Sequence, residues 1–303
     1  MVVVSEGLVQ ELRGRVRGAV LAHEPMSRHT SLRIGGPADL FVVPEDVEDL
    51  AVVLAFARST GLPVHVCGGG SNTLVRDGGI RGIVLHLTAF QHLGREGAEV
   101  SAGAGVRVSR LLAFCSRVGL AGMEMLSGVP GTVGGAVWGN AGAWGGAVAD
   151  RLVRLRLLTR EGEERRLLRE AVSFDYRHSG LPLGSVVTEA SFGLEPGDPA
   201  AIRQRISRWL IQRNARQPVE FRSAGSIFKN PPGDHAGRLV ELAGLKGTQV
   251  GGAKISEKHG NFFVNLGDAR AADVLALIGM ARARVKALTG IDLALEVKVV
   301  GED

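Results

Sequence analysis

The 303 residues are 45% hydrophobic and 22% charged, an ordinary composition for soluble domains and enough material for two or three of them. The 43 glycines cluster without a G-X-Y period, which excludes collagen and points to loops. A net charge of +5 is spread along the chain with no basic stripe interleaved with aromatics, so a nucleic-acid partner is not expected.

No apolar stretch is long enough for a membrane span, and the opening MVVVSEGLVQELRGRVRG lacks the pattern of a signal peptide. Cys67 and Cys115 form neither a metal spacing nor a disulfide framework, so no metal is expected and a cytoplasmic location is the simple reading.

In chain order, residues 5–18 read as a helix with Leu8, Leu12 and Val16 on one face. A strand at 39–43 stops at Pro44. Asp46 then caps a helix carrying Val47, Leu50, Val53, Leu54 and Ala57, which Gly61 closes. A strand at 63–67 runs into GGGSN, and another follows at 79–87. The pattern restarts near residue 90, with a strand at 99–102 and a helix at 108–118 ended by Gly119.

Residues 151–159 alternate, with Val153, Leu155 and Leu157 facing one way and Arg154, Arg156 and Leu158 the other. Glu161-Gly162 turns the strand back into a hairpin, and 185–194 is a further strand. Residues 196–199 punctuate a boundary. A basic amphipathic helix at 200–216 carries Ile202, Ile206, Trp209 and Leu210. A helix at 237–243, a strand at 261–266, a helix at 269–288 ended by Gly290 and a strand at 291–300 complete the chain. The fold class is α+β, in three segments: 1–90, 91–198 and 199–303.

Two glycine loops stand out. One is Gly68-Gly69-Gly70-Ser71-Asn72. The other is GVPGTVGGAVWGNAGAWGG at 128–146, with eight glycines in nineteen residues. Bare backbone N–H groups at such turns make anion sites, and Ser71, Thr132 and Asn140 could add side-chain donors. Neither loop is a Walker A or G-x-G-x-x-G sequence. One such loop alone reads equally as a tight turn, whereas two in adjacent segments suggest a shared dinucleotide.

Other stretches are weak one at a time. AGSIFKNP (224–231) offers Ser226, which would need cations or a hydrogen-bond chain to give up a proton. FDYRHSG (174–180) contains Tyr176, the single tyrosine, and Arg177, which could grip a carboxylate. LALEVKVVG (293–301) puts Glu296 on the face opposite Leu293, Leu295, Val297 and Val299. KISEKHGNFFVN (254–265) gathers Lys254, Lys258 and His259. In isolation these read as loop and surface residues.

Taken in order, HTSLRIGGPADLFVVP (29–44), GGGSNTLVRDGG (68–79), GVPGTVGGAVWGNAGA (128–143), YRHS (176–179), GSIFKNP (225–231), GLKGTQVGGAKISEKHGNFFVN (244–265) and LEVKVVG (295–301) resemble the UDP-N-acetylenolpyruvoylglucosamine reductase (MurB) family over nearly the whole chain. The resemblance implies a two-part FAD-binding fold of the vanillyl-alcohol-oxidase/p-cresol-methylhydroxylase type at 1–90 and 91–198. A C-terminal α+β substrate domain would occupy 199–303. It implies non-covalent FAD, NADPH as co-substrate, and reduction of the enolpyruvyl group of UDP-N-acetylglucosamine enolpyruvate to give UDP-N-acetylmuramate for peptidoglycan. A monomer is expected.

Carried over by position, Ser226 is the proton donor, and Arg177 with Glu296 stabilises the enolate-like intermediate. The cofactor residues are Gly68, Gly69, Gly70, Ser71, Asn72, Gly128, Gly131, Thr132, Gly134, Gly135, Ala136, Asn140, Ala141 and Gly142. Tyr176, Asn230, Lys254 and Lys258 are assigned to the substrate, the last three to its diphosphate. The stretch between Arg177 and Phe192 is short and has no tyrosine, as in the subgroup lacking the extra tyrosine loop. Two alternatives stand beside this reading: an FAD-linked oxidase using oxygen, weakened by the lack of a His in GGGSN, and a non-catalytic nucleotide-binding protein.

Overall fold

The computed structural model describes residues 4–303; residues 1–3, part of the opening read above as no signal peptide, lie outside the described residues. The chain forms two compact units by threading back and forth. One contains the chain through Ala22, Asp39–Gly69 and Gly82–Ile211; the other contains His23–Ala38, Gly70–Arg81 and Gln212–Asp303.

In the first unit the β-α-β pattern forms as its signals dictate. Asp46 accepts from the Asp49 N–H at 3.0 Å and starts the helix Val47–Thr60. Gly61, left-handed at φ 71°, ends it. Leu50, Val53, Leu54, Phe56 and Ala57 are buried on one side. The strands flanking this helix, Pro37–Val43 and Val64–Cys67, are not sheet neighbours: Ile80–His86 lies between them and pairs in parallel with Val64–Cys67, from Val64 against Ile83 to Cys67 against His86. The first helix is shorter than expected, Glu6–Arg15, because Val16 is already extended.

A five-stranded antiparallel sheet follows, in the order Glu164–Leu168, Leu152–Leu158, Val186–Gly193, Glu99–Gly103, Leu93–Glu96. The helix Val108–Arg117 buries Leu111, Leu112 and Cys115 in the core of this part. The clean alternation expected for 151–159 breaks at two points. The register against Val186–Gly193 shifts between Leu152 and Arg154 and again between Arg156 and Leu157, and Leu158 is buried rather than facing out with the arginines. A bulge re-aims the side chains that follow it.

The helix Pro199–Arg216 buries Ile202 and partly buries Ile206 and Trp209, while Leu210, expected on the same face, is exposed.

The second unit has a four-stranded sheet ordered Arg222–Ser226, Phe262–Asn265, Ala253–Ile255, Gln249–Val250. The helix Ala271–Thr289 buries Ala271, Val274, Leu277, Ile278, Ala281 and Val285, a continuous 3.6-residue stripe. Asp77 accepts from its first N–H groups, Ala271 and Ala272, at 2.9 and 3.0 Å. The strand expected at 291–300 is confined to Lys298–Val300, paired in parallel with Thr73–Val75. The residues before it follow Ile227–Lys229 irregularly instead, with one bridge between Leu295 and Phe228. The α+β class expected from sequence is the class observed.

Candidate active site

In the first unit the two glycine loops lie against each other. A Cβ on Gly69 would sit 2.8 Å from the Gly131 Cα, and one on Gly68 would sit 2.8 Å from the Thr132 hydroxyl. Gly131 also has φ +106°, a backbone that side chains rarely adopt. Gly134 passes equally close to Ala104. These glycines are bare so that loop can touch loop. Gly135 differs: it is exposed, and a Cβ there would meet only the Thr132 hydroxyl, at 3.7 Å.

Most of the run's N–H groups are engaged. Val133 donates to Val106, Gly134 to Ala104, Ala136 to Thr132 and Ala141 to Ala136. Those of Gly131, Thr132 and Gly135 reach no backbone acceptor among the described residues. Thr132 and Ala136 are buried, Gly128 is left-handed, and Ala141 packs against the core.

The loop carrying Tyr176 and Arg177 is fastened to the second half of the same run. Phe174 pairs with Ser179 and Asp175 with His178, so Tyr176 and Arg177 form a two-residue tip. Three side-chain bonds hold it. The Asn140 Nδ2 donates to the Asp175 carbonyl at 2.9 Å, the Arg177 Nη2 to the Gly142 carbonyl at 2.8 Å, and the Ser179 hydroxyl to the Trp138 carbonyl at 2.6 Å. The Asn140 Oδ1 accepts from the Ala149 N–H at 3.1 Å, so both ends of this amide are taken by protein groups. The Arg177 guanidinium lies over the exposed Tyr176 ring at 5.0 Å. Arg177 has φ 54°, a costly backbone for an arginine at a turn position where glycine or asparagine is usual.

In the second unit Gly70 has φ 60°, and a Cβ there would collide with the His29 carbonyl. Ser31 donates its N–H to the Gly70 carbonyl at 3.1 Å, which anchors the first glycine loop; Ser71 and Asn72 follow. The Asn72 Nδ2 donates to the Glu296 carbonyl at 3.1 Å, and Lys298 N–H donates to the Asn72 carbonyl at 2.9 Å.

Glu296 in turn donates its N–H to the Ile227 carbonyl at 2.8 Å. Ser226 and Glu296, seventy residues apart in sequence, are thus brought onto adjoining segments. Asn261, buried, braces this frame by donating to the Phe228 carbonyl and accepting from the Phe228 N–H, at 2.8 and 2.9 Å. A register shift between Ser223 and Ser226, at left-handed Gly225, turns the chain there. The Ser226 hydroxyl makes no hydrogen bond among the described residues.

The three residues assigned to a diphosphate all have protein partners. The Asn230 Oδ1 accepts from the Ala236 N–H at 3.1 Å, Lys254 pairs with Glu257 at 2.5 Å, and Lys258 donates to the Asn214 carbonyl at 2.7 Å. Nearby Asp234 is held down to about 2, chiefly by its hydrogen bonds from Arg238 and from the His235 N–H. Cys115, by contrast, is pushed up to about 12 by burial and by Glu124, which makes it an inert thiol.

Sequence reasoning missed Asn261 and the stacked pair Trp144 and Trp209. Neither had a local signal, because each acts on a residue more than thirty positions away.

A family model described as UDP-N-acetylenolpyruvoylglucosamine reductase, C-terminal domain, matches residues 217–300, and an FAD binding domain model matches 38–168. A UDP-N-acetylenolpyruvoylglucosamine reductase of Geobacter metallireducens is 48% identical, over 99% of this chain and 100% of that one. The one from Moorella thermoacetica is 46% identical over 97% and 98%. Among solved structures, the Thermus caldophilus UDP-N-acetylenolpyruvylglucosamine reductase superimposes with a TM-score of 0.81 at 38% identity, covering 94% of this chain and 99% of that one. A glucose dehydrogenase, Phl p 4.0202, shares the fold at 15% identity and TM-score 0.51, over 64% of this chain and 45% of its own.

Proposed function

The chain belongs to the UDP-N-acetylenolpyruvoylglucosamine reductase family, FAD-dependent oxidoreductases of peptidoglycan precursor synthesis, and from that premise we propose how its own residues divide the reaction. The observation that carries the proposal is the frame in the second unit: Glu296 bonded to Ile227, beside a Ser226 hydroxyl that no described residue engages.

The first unit offers a fitting cradle for the cofactor's pyrophosphate. Gly135 presents an open, bare side, and the uncommitted N–H groups of Gly131, Thr132 and Gly135 suit an anion. Gly68, Gly69, Gly128, Gly134, Ala136 and Ala141 shape that cradle, and Asn140 and Gly142 secure it from behind. Gly70, Ser71 and Asn72 continue the first loop. FAD, when bound, supplies hydride transfer between NADPH and the substrate.

Reduction of the enolpyruvyl double bond adds a hydride to the methylene carbon and a proton to its neighbour. Negative charge builds toward the substrate carboxylate in between. Arg177 is assigned to that carboxylate, since a fixed guanidinium helps most where charge develops. The left-handed backbone of Arg177 supports this, because strain of that kind persists where the residue has a task.

Ser226 delivers the proton from its hydroxyl and is then reprotonated from water. Glu296 assists as a donor in its protonated form, or through a water or a neighbouring lysine, because an ionised, unpaired carboxylate beside the developing charge would oppose the step. Tyr176 lies against the substrate, and Asn230, Lys254 and Lys258 take the diphosphate by exchanging their present partners for it.

The division 1–90, 91–198 and 199–303 belongs to the same reading, with FAD on the first two segments and substrate on the third. The two matched family models fall on either side of its second boundary. A nucleotide sugar and NADPH as reactants support a cytoplasmic site of action.

Stopped-flow spectroscopy of Ser226→Ala tests the proposal. Flavin reduction by NADPH is expected at the normal rate, and reoxidation by the enolpyruvyl substrate slower by about 100-fold or more. Normal reoxidation would remove Ser226 from the role of proton donor.

A further inference from the structure

The helix Pro199–Arg216 spends one face on the glycine run and its approach. Ile202 is buried, Arg205 donates to Glu124 at 2.7 Å, and Ile206 and Trp209 pack on the core of the first unit. The positions i, i+3, i+4 and i+7 form a single stripe. Glu124, almost fully buried, also accepts from the Gly122 N–H at 2.5 Å, so the segment leading into the run is clamped from the helix side.

At the far end of the run, Trp209 meets Trp144. The two indoles are stacked, 5.7 Å apart and 7° from parallel.

Trp144 sits in a costly place. Gly142–Ala143 and Gly146–Ala147 form a hairpin, and Trp144-Gly145 is its two-residue turn, with φ 54° and 82°. Such turns favour asparagine or glycine at both positions. A tryptophan there is not explained by the turn, but its ring stacks on Trp209 and its Nε1 donates to the Ser127 carbonyl at 3.3 Å. The hairpin tip is thereby fixed at both edges of the indole. At the hairpin's base, the Gly142 carbonyl accepts from the Arg177 guanidinium. Two non-glycine residues with left-handed backbone, Trp144 and Arg177, are therefore joined through one short hairpin.

We propose that Trp209 is a positioning residue: through its stack on Trp144 it fixes the Gly142 carbonyl, and through that carbonyl the Arg177 guanidinium. The inference rests on the assignment of Arg177 to the substrate carboxylate. Trp209 touches no reactant in this scheme. It removes the freedom of the acceptor that aims Arg177, and small misplacements of such groups cost large factors in rate.

The test compares Trp209→Ala, Trp209→Phe and Arg177→Ala in the FAD-loaded protein. In Trp209→Ala, reoxidation by the enolpyruvyl substrate is expected to slow by about tenfold. Flavin reduction by NADPH should stay within about twofold, and Trp209→Phe should recover most of the lost rate. Without any substrate, the amides of residues 142–147 should exchange hydrogen faster in Trp209→Ala than in the parent.

Normal reoxidation in Trp209→Ala alongside slow reoxidation in Arg177→Ala would overturn the brace and leave the role of Arg177 standing. Equal slowing of both half-reactions, or unchanged exchange at 142–147, would also overturn it. Normal reoxidation in Arg177→Ala would overturn the assignment of Arg177, and the inference with it.

Discussion

Arg177 and Ser226 are held in opposite ways. The loop of Arg177 rests on the glycine run through three side-chain bonds, from Asn140, Arg177 itself and Ser179, each to a backbone carbonyl. Ser226 stands at the end of a strand whose backbone is bonded to its neighbours and braced by Asn261, and its own hydroxyl takes no part. One region uses its polar side chains to fix geometry. The other fixes geometry with backbone and leaves a side chain available. A guanidinium stabilises charge only when aimed, whereas a proton donor must be unencumbered at the moment of transfer.

The largest effect should come from Arg177→Asn. Asparagine accepts a left-handed backbone, so the tip can keep its shape without the guanidinium. Substrate reduction should fall by roughly 100- to 1000-fold. The melting temperature should move by less than about 2 °C. A large loss of stability with modest loss of rate would mean that Arg177 only fastens the loop, as Asn140 and Ser179 do, and would remove it from the substrate carboxylate.

Next come the two asparagines. Asn261→Ala leaves a buried N–H and a buried carbonyl of Phe228 without partners and should cost about 2–4 kcal/mol. Asn140→Gly, which keeps the left-handed backbone, should cost about 1–3 kcal/mol by the same reasoning. Denaturant titration measures both. Asn140→Gly should also slow substrate reduction, because it frees the Arg177 loop. If Asn140→Gly proves the more destabilising, the frame of the second unit is not the stiffer one.

Within the first unit, Gly69→Ala and Gly135→Ala separate packing from ligand binding. The first places a Cβ 2.8 Å from the backbone of Gly131 and should destabilise by about 1–3 kcal/mol. The second meets only the Thr132 hydroxyl, at an ordinary contact distance of 3.7 Å, should change stability by less than about 0.5 kcal/mol, and should weaken FAD binding in a fluorescence titration. Unchanged FAD affinity in Gly135→Ala would remove that residue from the cradle.

The local signals were legible because each acts over a few residues. Asp46 and Gly61 bound their helix, and both glycine loops read as bare backbone with a task. What the loops touch was not legible. Gly68 and Gly69 meet a stretch sixty residues on. The amide of Asn140 looks, in sequence, like any donor in a phosphate loop, yet it bonds the Asp175 carbonyl and the Ala149 N–H.

Glu296 was placed by alternation on a long strand. That periodicity belongs to Leu293 and Val297 entering the core, while the backbone between them follows Ile227–Lys229 with a single bridge. Period 2 reports which residues are buried, and it does not by itself report a ladder. The Trp144–Trp209 stack joins a turn to a helix 65 positions away, and no periodicity carries such a pair.

The smallest effect compares the units by pH. Burial lowers the pKa of His65, in the strand Val64–Cys67 of the first unit, and of His259, beside Gly237 in the second. His259 also uses its Nδ1 to accept from the Asn261 N–H at 3.2 Å, an interaction the protonated ring cannot make. With the folded pKa below the unfolded value of about 6.5, the unfolded chain takes up the proton first. Each histidine therefore contributes stability that is fully present above about pH 6.5 and is lost as pH falls through the folded pKa. Between pH 7.5 and 5.5 the melting temperature should drop, and His259→Gln and His65→Gln should each flatten that drop by about 1–3 °C. A larger flattening from His259→Gln would identify the second unit as the acid-sensitive one, because there protonation also disturbs Asn261, the residue that braces the segment beside Ser226.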